Sequence, residues 1–423
     1  MCQHIATHHP AEASSNDFPW DAGVYDAHCH PTDTMASVSS IPLMRATALA
    51  IMSTRSQDQE LVAAVAAEHG IRREDTQGVD HNQTGSAPSQ RAGQAIPSFG
   101  WHPWFSYQLY DDTAPAAPRT YDAESAKGDG IQAERLRHFT AVLSPPPSDE
   151  ASVANMPPIK SLSEFIEETR VRLRAHPIAL VGEVGLDKRF RLPEPWKDGE
   201  SRPNRDDDMT PGGRDGRLLS RHHVKMSHQV AVLKAQLKLA AEMGRAVSVH
   251  GVQAHGVLFE TLSECWKGHE REVLSKKERR KIAEGAEDFS SSSDDSDDDG
   301  NGRVASGGRQ EPRPYPPRIC LHSFSGPPEV MKQYLNPKIP AKVFVSFSMA
   351  INVAMDEKRA GEVIAACPGD RILVESDLHI AGEEMDAALE GMYRKVCEIK
   401  GWGLRDGVDR IGRNFKEFIG GSW

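Results

Sequence analysis

The sequence predicts an α/β protein built as a single (β/α)8 TIM-type barrel over residues 23–420, with long irregular or disordered insertions. Three observations carry this. Eight short apolar or β-branched runs recur along the 423 residues. Helical patterns separate most of them, and run after run ends in a histidine or a carboxylate. Strands alternating with helices give a parallel sheet under a helical layer, and barrel sites form where the strand C-terminal ends converge. A doubly wound open sheet is the competitor, but no Gly-rich phosphate loop follows the first run.

The first run, GVYDAHCH (23–30), places His28 and His30 two positions apart on one strand face. ATALAIMST (46–54) leads into the helical pattern QDQELVAAVAAEHG (57–70). AIPSFGWHP (95–103) brings His102, flanked by Trp101 and Trp104. The helix SLSEFIEETRVRLRAH (161–176) precedes IALVGEVGLD (178–187), which carries Glu183 and Asp187. In HHVKMSHQVAVLKAQLKLAAEMG (222–244), Val230, Leu233, Leu237 and Ala240 recur at helical spacing and mark a buried stripe. AVSVHGV (246–252) reaches His250, and RICLHSFSG (318–326) reaches His322 before the helix EVMKQYL (329–335). KVFVSFS (342–348) and EKRAGEVIAAC (357–367) form the seventh pair. RILVESDL (371–378), with Glu375 and Asp377, and MDAALEGMYRKVCEIKG (385–401) form the eighth.

Four stretches interrupt this pattern: residues 72–94, 106–160, 193–218 and 267–317. The last passes from KKERRK through SSSSDDSDDDG (290–300) to EPRPYPPR. Blocks of like charge with little apolar content cannot offset ordering entropy, so this tract is expected to be disordered. Its serines among aspartates would suit an acidophilic kinase. Residues 1–22 read as a tail in which His4, His8 and His9 are bystanders, and His222, His223 and His228 read as solvated surface.

The formal net charge of −11 speaks against a basic surface for coating duplex nucleic acid. Five of those acids sit in 290–300, however, and bound cations can supply positive charge to an acidic protein. Six scattered cysteines without CxxC pairs fit free thiols in a reducing compartment rather than disulfides. No run reaches the ~18–20 apolar residues of a membrane span. The N-terminus lacks a basic start and an apolar segment. The compartment expected is therefore cytoplasm, nucleus or both, with no membrane partner.

His28, His30, His102, Glu183, His250, His322 and Asp377 thus occupy matching strand ends. Buried strands seldom carry unpaired polar groups, so their recurrence points to one site, and mixed imidazole and carboxylate donors suit a metal ion.

DAHCHP, GWHP, GEVGLD, VH, LHSFSG and ESD, in this order, resemble the TatD family of metal-dependent deoxyribonucleases, within the amidohydrolase-like barrels. The terminal IGRNFKEF resembles that family's Asn-containing last helix. The polar insertions and SVHGVQAHG look like its fungal branch, named for interaction with an anaphase-promoting-complex subunit. The resemblance implies two divalent ions (Mg, Mn or Zn). His28, His30 and Asp377 would hold one, and His250 and His322 the other, with Glu183 bridging. It implies that His102 touches the substrate phosphate. A carboxylate such as Asp377, touching both metal and water, can accept the proton. Trp101 and Trp104, flanking His102, are more often packing residues, yet such rings can stack on a terminal base. The implied activity is hydrolysis of phosphodiesters in DNA ends or single strands, and the branch name adds a cell-cycle protein partner reached through the insertions.

Two positions depart from the family pattern. Gly251 and Val252 stand where Ser-Arg is usual, and ESDLH replaces ETDsP, with His379 at the proline. An arginine lost there removes a phosphate contact and leaves the metal ligands untouched. Two other functions remain in view: an amidohydrolase or esterase on the same barrel, disfavoured by Glu183 standing where a carbamylated lysine would be needed, and a barrel scaffold that binds partner proteins.

Overall fold

The computed structural model describes residues 18–71, 92–113, 119–194, 218–273 and 313–420. The eight runs form one parallel sheet: β1 (Tyr25–Cys29), β2 (Ala48–Met52), β3 (Gln94–Phe99), β4 (Leu180–Asp187), β5 (Val247–Val252), β6 (Arg318–Leu321), β7 (Lys342–Phe347) and β8 (Ile372–Val374). Neighbours in the sheet are neighbours in sequence throughout, whereas a doubly wound sheet would reverse its order part way. No strand ladder joins β8 to β1 among the described residues, but the mouth is tied across that seam. Asp377 N donates to His28 O at 3.0 Å and His30 N to Leu378 O at 2.8 Å. Ser376 N donates to the Asp26 carboxylate at 3.0 Å. The barrel is nearly closed, and the closing bonds lie among the candidate site residues.

Helices follow most strands: α1 (Ser56–His69) after β2, α2 (Ile131–Val142) and α3 (Leu162–Ala175) after β3, α4 (Met226–Glu242) after β4, and α5 (His255–Trp266) after β5. α6 (Pro328–Tyr334) follows β6, α7 (Ala354–Ala366) follows β7, and α8 (Glu383–Lys400) and α9 (Leu404–Ile419) follow β8. After β1 come the 3-10 turns Pro31–Asp33 and Val38–Leu43. Pro42 lies inside the second of these turns, where a proline interrupts helical hydrogen bonding.

Two apolar layers hold the barrel. Outward residues such as Leu49, Ile51, Val181, Val249 and Val345 pack under the helices. Inward ones, among them Ala50, Ile96, Leu180 and Phe344, form a separate cluster with Phe415, Phe418 and Ile419 of α9. Val408, Ile411, Phe415 and Phe418 recur at helical spacing and are all buried. Phe415 stacks on Tyr25 at 4.7 Å, so α9 plugs the end of the barrel opposite the strand C-termini. Asn414 Nδ2 fastens the plug by donating to Gly369 O and Ile372 O, each at 2.8 Å.

Residues 106–160, expected to be irregular, carry α2 and a small core of their own. Tyr107, Phe139, Val142, Leu143 and Val153 pack against Phe190, Leu192 and Val224. Leu143–Ser144 pairs antiparallel with His223–Val224, so the helix expected from residue 222 begins only at Met226. The expected solvated surface at His222, His223 and His228 is also corrected. Their rings donate to Pro145 O, Phe190 O and Ser106 O at 2.7, 2.9 and 2.9 Å, fastening the insertion to the barrel. The buried backbone carbonyls need donors, and these histidines supply them. The proposed disorder of the acidic tract falls mainly on 274–312, outside the described residues. So do His4, His8, His9 and most of the other two insertions. No described helix is long and apolar enough to cross a membrane.

Candidate metal centre at the barrel mouth

Two local irregularities aim the site residues inward. On β4, Val181 and Val184 both face the outer layer although three positions apart, and the ladder to β5 slips between them. The pair Gly182–Glu183 therefore occupies the place of one inward residue, which is a β-bulge. β1 slips likewise between Asp26 and Cys29, three steps against the two from Leu49 to Ile51. His28 and His30 then meet Glu183 inside the mouth. Gly185, at φ +150°, permits β4 to run close against β5, because a Cβ there would lie 2.0 Å from His250 O.

Glu183 is the hub. Its Oε2 lies 3.4 Å from His28 Nε2 and 3.3 Å from His30 Nε2. Its Oε1 lies 2.8 Å from His250 Nδ1, 2.8 Å from His322 Nε2 and 3.0 Å from His102 Nε2. Asp377 Oδ1 stands 3.7 Å from His30 Nε2 and 4.0 Å from His28 Nε2. Among the described residues, three groups have ligand atoms close enough to hold a metal: His28/His30/Glu183, His102/Glu183/His250 and His28/His322/Glu375. The side chains of 28, 30, 102, 183, 250, 322 and 377 are thus brought together. All of them but His28 line the cavity, Trp104 joins them there, and Trp101 does not. Trp101 is 2% exposed and packs edge-on against Phe165, because it points outward into the helical layer.

The donor set suits a cation and does not satisfy itself. His28 Nε2 and His30 Nε2 face each other at 3.1 Å, and His250 Nδ1 and His322 Nε2 at 3.2 Å. Each such pair of ring nitrogens can share only one proton. The buried Nδ1 atoms of His30 and His322 have no hydrogen-bond partner among the described residues. Electrostatics agree. Burial opposes charge on every group here, yet Glu183 is held well below the usual carboxylate range by His102, His322 and His28. Burial works against charging His30, but the Glu183 carboxylate outweighs it and raises His30 to about 9. His250 and His322 are also raised against burial, by Asp187 with Glu183 and by Glu183 respectively. Burial, with neighbouring imidazoles, drives His28 down to about 3 and His102 to about 4. The acids draw positive charge onto the ligand atoms, and a divalent ion of N/O preference could supply that charge.

Around this centre lies a supporting shell. Ser248 Oγ is 2.8 Å from His28 Nδ1. Glu375, fully buried, accepts from Ser323 N at 2.7 Å and from Ser346 Oγ, and stands 3.7 Å from His322 Nδ1. Asp377 adopts φ +56°, a left-handed conformation that costs roughly 1–2 kcal/mol and is held by its N–H bond to His28 O. Asp187 both ties down the loop after β4 and reaches the centre. Its Oδ2 meets His250 Nε2 at 3.0 Å and accepts from Trp104 Nε1 at 2.7 Å, while Oδ1 accepts from Arg189 N and Phe190 N. Its place four residues beyond Glu183, on β4, was the available signal. Arg189 and Arg191, just beyond, also line the mouth. The cavity measures 680 Å³ and is walled partly by Trp104, Phe105 and Phe190. Gly251 and Val252 line it too, and His379 is exposed with its carbonyl accepting from Thr34.

A family model described as TatD related DNase matches residues 25–420. The chain is 34% identical over 396 residues to Cut9-interacting protein scn1 of Schizosaccharomyces pombe, covering 94% of this chain and 98% of that one. It is 25% identical over 285 residues to the uncharacterized deoxyribonuclease YMR262W of Saccharomyces cerevisiae, covering 67% and 66%. The fold is similar to that of an uncharacterized amidohydrolase from Saccharomyces cerevisiae, at TM-score 0.51 and 11% identity, covering 94% and 99%.

Proposed function

Because the chain belongs to the family of TatD-related DNases, we propose that it is a divalent-metal-dependent phosphodiester hydrolase acting on DNA ends or single strands. The observation that carries this is the division of labour at Glu183. One oxygen faces His28 and His30, and the other faces His250 and His322. In this reading His28, His30 and Asp377 would hold one ion and His250 and His322 a second, with Glu183 contributing to both; Mg, Mn and Zn all suit such ligands. Bound there, the ions would neutralise charge on the phosphate and acidify water.

The remaining work falls to side chains. Asp377 is the more exposed of the two central acids, at 14% against 4% for the Glu183 side chain, and is placed to accept a proton from water entering the cavity. His102 stands beside Glu183 at the mouth and would contact a phosphate oxygen. Trp104, fixed by Asp187 and stacked on Phe190 at 4.6 Å, offers a wall on which a base can lie. A 680 Å³ cavity admits a frayed strand end more readily than a duplex interior.

A divalent-dependent nuclease assay tests the proposal. Glu183→Gln and Asp377→Asn should each lower turnover by about 10² or more. Equal residual activity in the parent and both variants, or turnover of esters and lactams alone, would defeat it.

A protein-binding role is the second reading, and it rests on the name of the Schizosaccharomyces pombe relative. A cell-cycle protein partner would be reached through the insertions, in the cytoplasm or nucleus. Co-purification of the full chain with a Cut9-like protein checks this, and its absence leaves the hydrolase reading alone.

A further inference from the structure

Four carboxylates, Asp33, Glu183, Asp187 and Asp377, line the cavity. Among the described residues lining it, the only permanent cations are Arg189 and Arg191. Both are exposed, and neither guanidinium is paired with an acid among the described residues. The backbone that carries them is fastened: the Asp187 carboxylate accepts from Arg189 N at 2.7 Å and from Phe190 N at 2.8 Å. Phe190 itself is buried against Trp104. The anchored aromatic and the two arginines flanking it all line the cavity. Arg189 and Arg191 follow Asp187 by two and four residues, so their Cα atoms lie within about 7 and 14 Å of that of Asp187.

We infer that Arg189 and Arg191 form a phosphate-binding edge that engages the phosphate next to the one being cleaved in a single-stranded nucleic acid. This rests on the hydrolase reading above and names what that site selects: a polyanionic strand rather than a small neutral ester. A strand whose reacting phosphate sits at the Glu183 cluster must leave past the rim, where its next phosphate meets guanidinium groups suited to bidentate contact. Exposed guanidinium groups at the edge of an acidic cavity also draw the strand in and hold its register, without entering the chemical step.

The test compares the full-length protein with R189A/R191A and R189K/R191K. Anisotropy of a labelled short single-stranded DNA is read in EDTA and again with Ca2+, across a salt series. Turnover is read on an oligonucleotide and on bis(p-nitrophenyl) phosphate, which has only one phosphate. The alanine pair should weaken DNA binding at least tenfold and make the salt dependence shallower by about 0.7 in log–log slope per arginine. It should lower kcat/KM on the oligonucleotide while bis(p-nitrophenyl) phosphate turnover stays within about twofold. The lysine pair should recover part of the affinity, which loss of the loop's fold would not allow.

Equal affinity and salt slope in parent and alanine variant overturn the inference, as does a parent that binds no DNA. If arginine-dependent binding is found but no protein hydrolyses a phosphodiester, the hydrolase reading falls and the binding edge stands. Hydrolysis retained with no arginine effect gives the reverse.

Discussion

Asp187 joins the imidazole of His250 to the indole of Trp104, so one carboxylate positions both a candidate ligand and a wall of the cavity. Replacing it with Asn keeps size and removes charge. Asp187→Asn should weaken divalent-ion affinity or activity about 10–100-fold with the fold intact, checked by metal titration beside circular dichroism. Unchanged affinity and activity would reduce Asp187 to a loop tether. At the same scale, the histidines, Glu183 and Asp377 stood out in sequence because each interrupts an apolar run where a strand ends. The fate of the two tryptophans did not. Trp101 and Trp104 flank one histidine, yet the first packs on Phe165 and the second lines the mouth. The 3-10 turn Pro103–Gln108 begins between them and changes the direction of the chain, and no residue type announces which ring it leaves inside.

At the scale of elements, the bulges on β1 and β4 and the plug of α9 decide the architecture of the mouth. Gly185→Ala would drive a methyl group into the His250 backbone and push β5 away from Glu183. It should lower metal affinity far more than global stability, which paired calorimetric and metal titrations can separate. Asn414→Ala removes two bonds to backbone carbonyls, one of them buried, and should cost about 1–3 kcal/mol in urea unfolding without altering metal affinity. The strands and most helices were legible because their apolar periodicity is strong. α2 was missed because it lies in a segment whose Pro, Ala and acid content hides the buried pair Phe139 and Val142.

For the whole molecule, charge at the centre couples stability to pH. His30 is raised from 6.5 to about 9, so its contribution to stability is complete below pH 6.5 and is lost as pH rises through 9. His250 and His322 act in the same direction. The chelated protein should therefore lose thermal stability between pH 6.5 and 9. Added divalent ion should raise Tm more at pH 8.5 than at pH 6.5, since fewer protons then compete for its ligands. Thermal scans in EDTA and in Mn2+ at both pH values check this, and a pH-independent metal effect would contradict it.

The order of strands, the set of polar residues at their ends and the family resemblance were all written in the sequence, because periodicity and residue type are local properties. That Asp187 reaches His250, that Trp104 and not Trp101 lines the cavity, and that two arginines edge it were decided only when the barrel formed. Distances between residues far apart in the chain depend on strand register and on bulges, and a register shift of one residue turns a side chain to the opposite face.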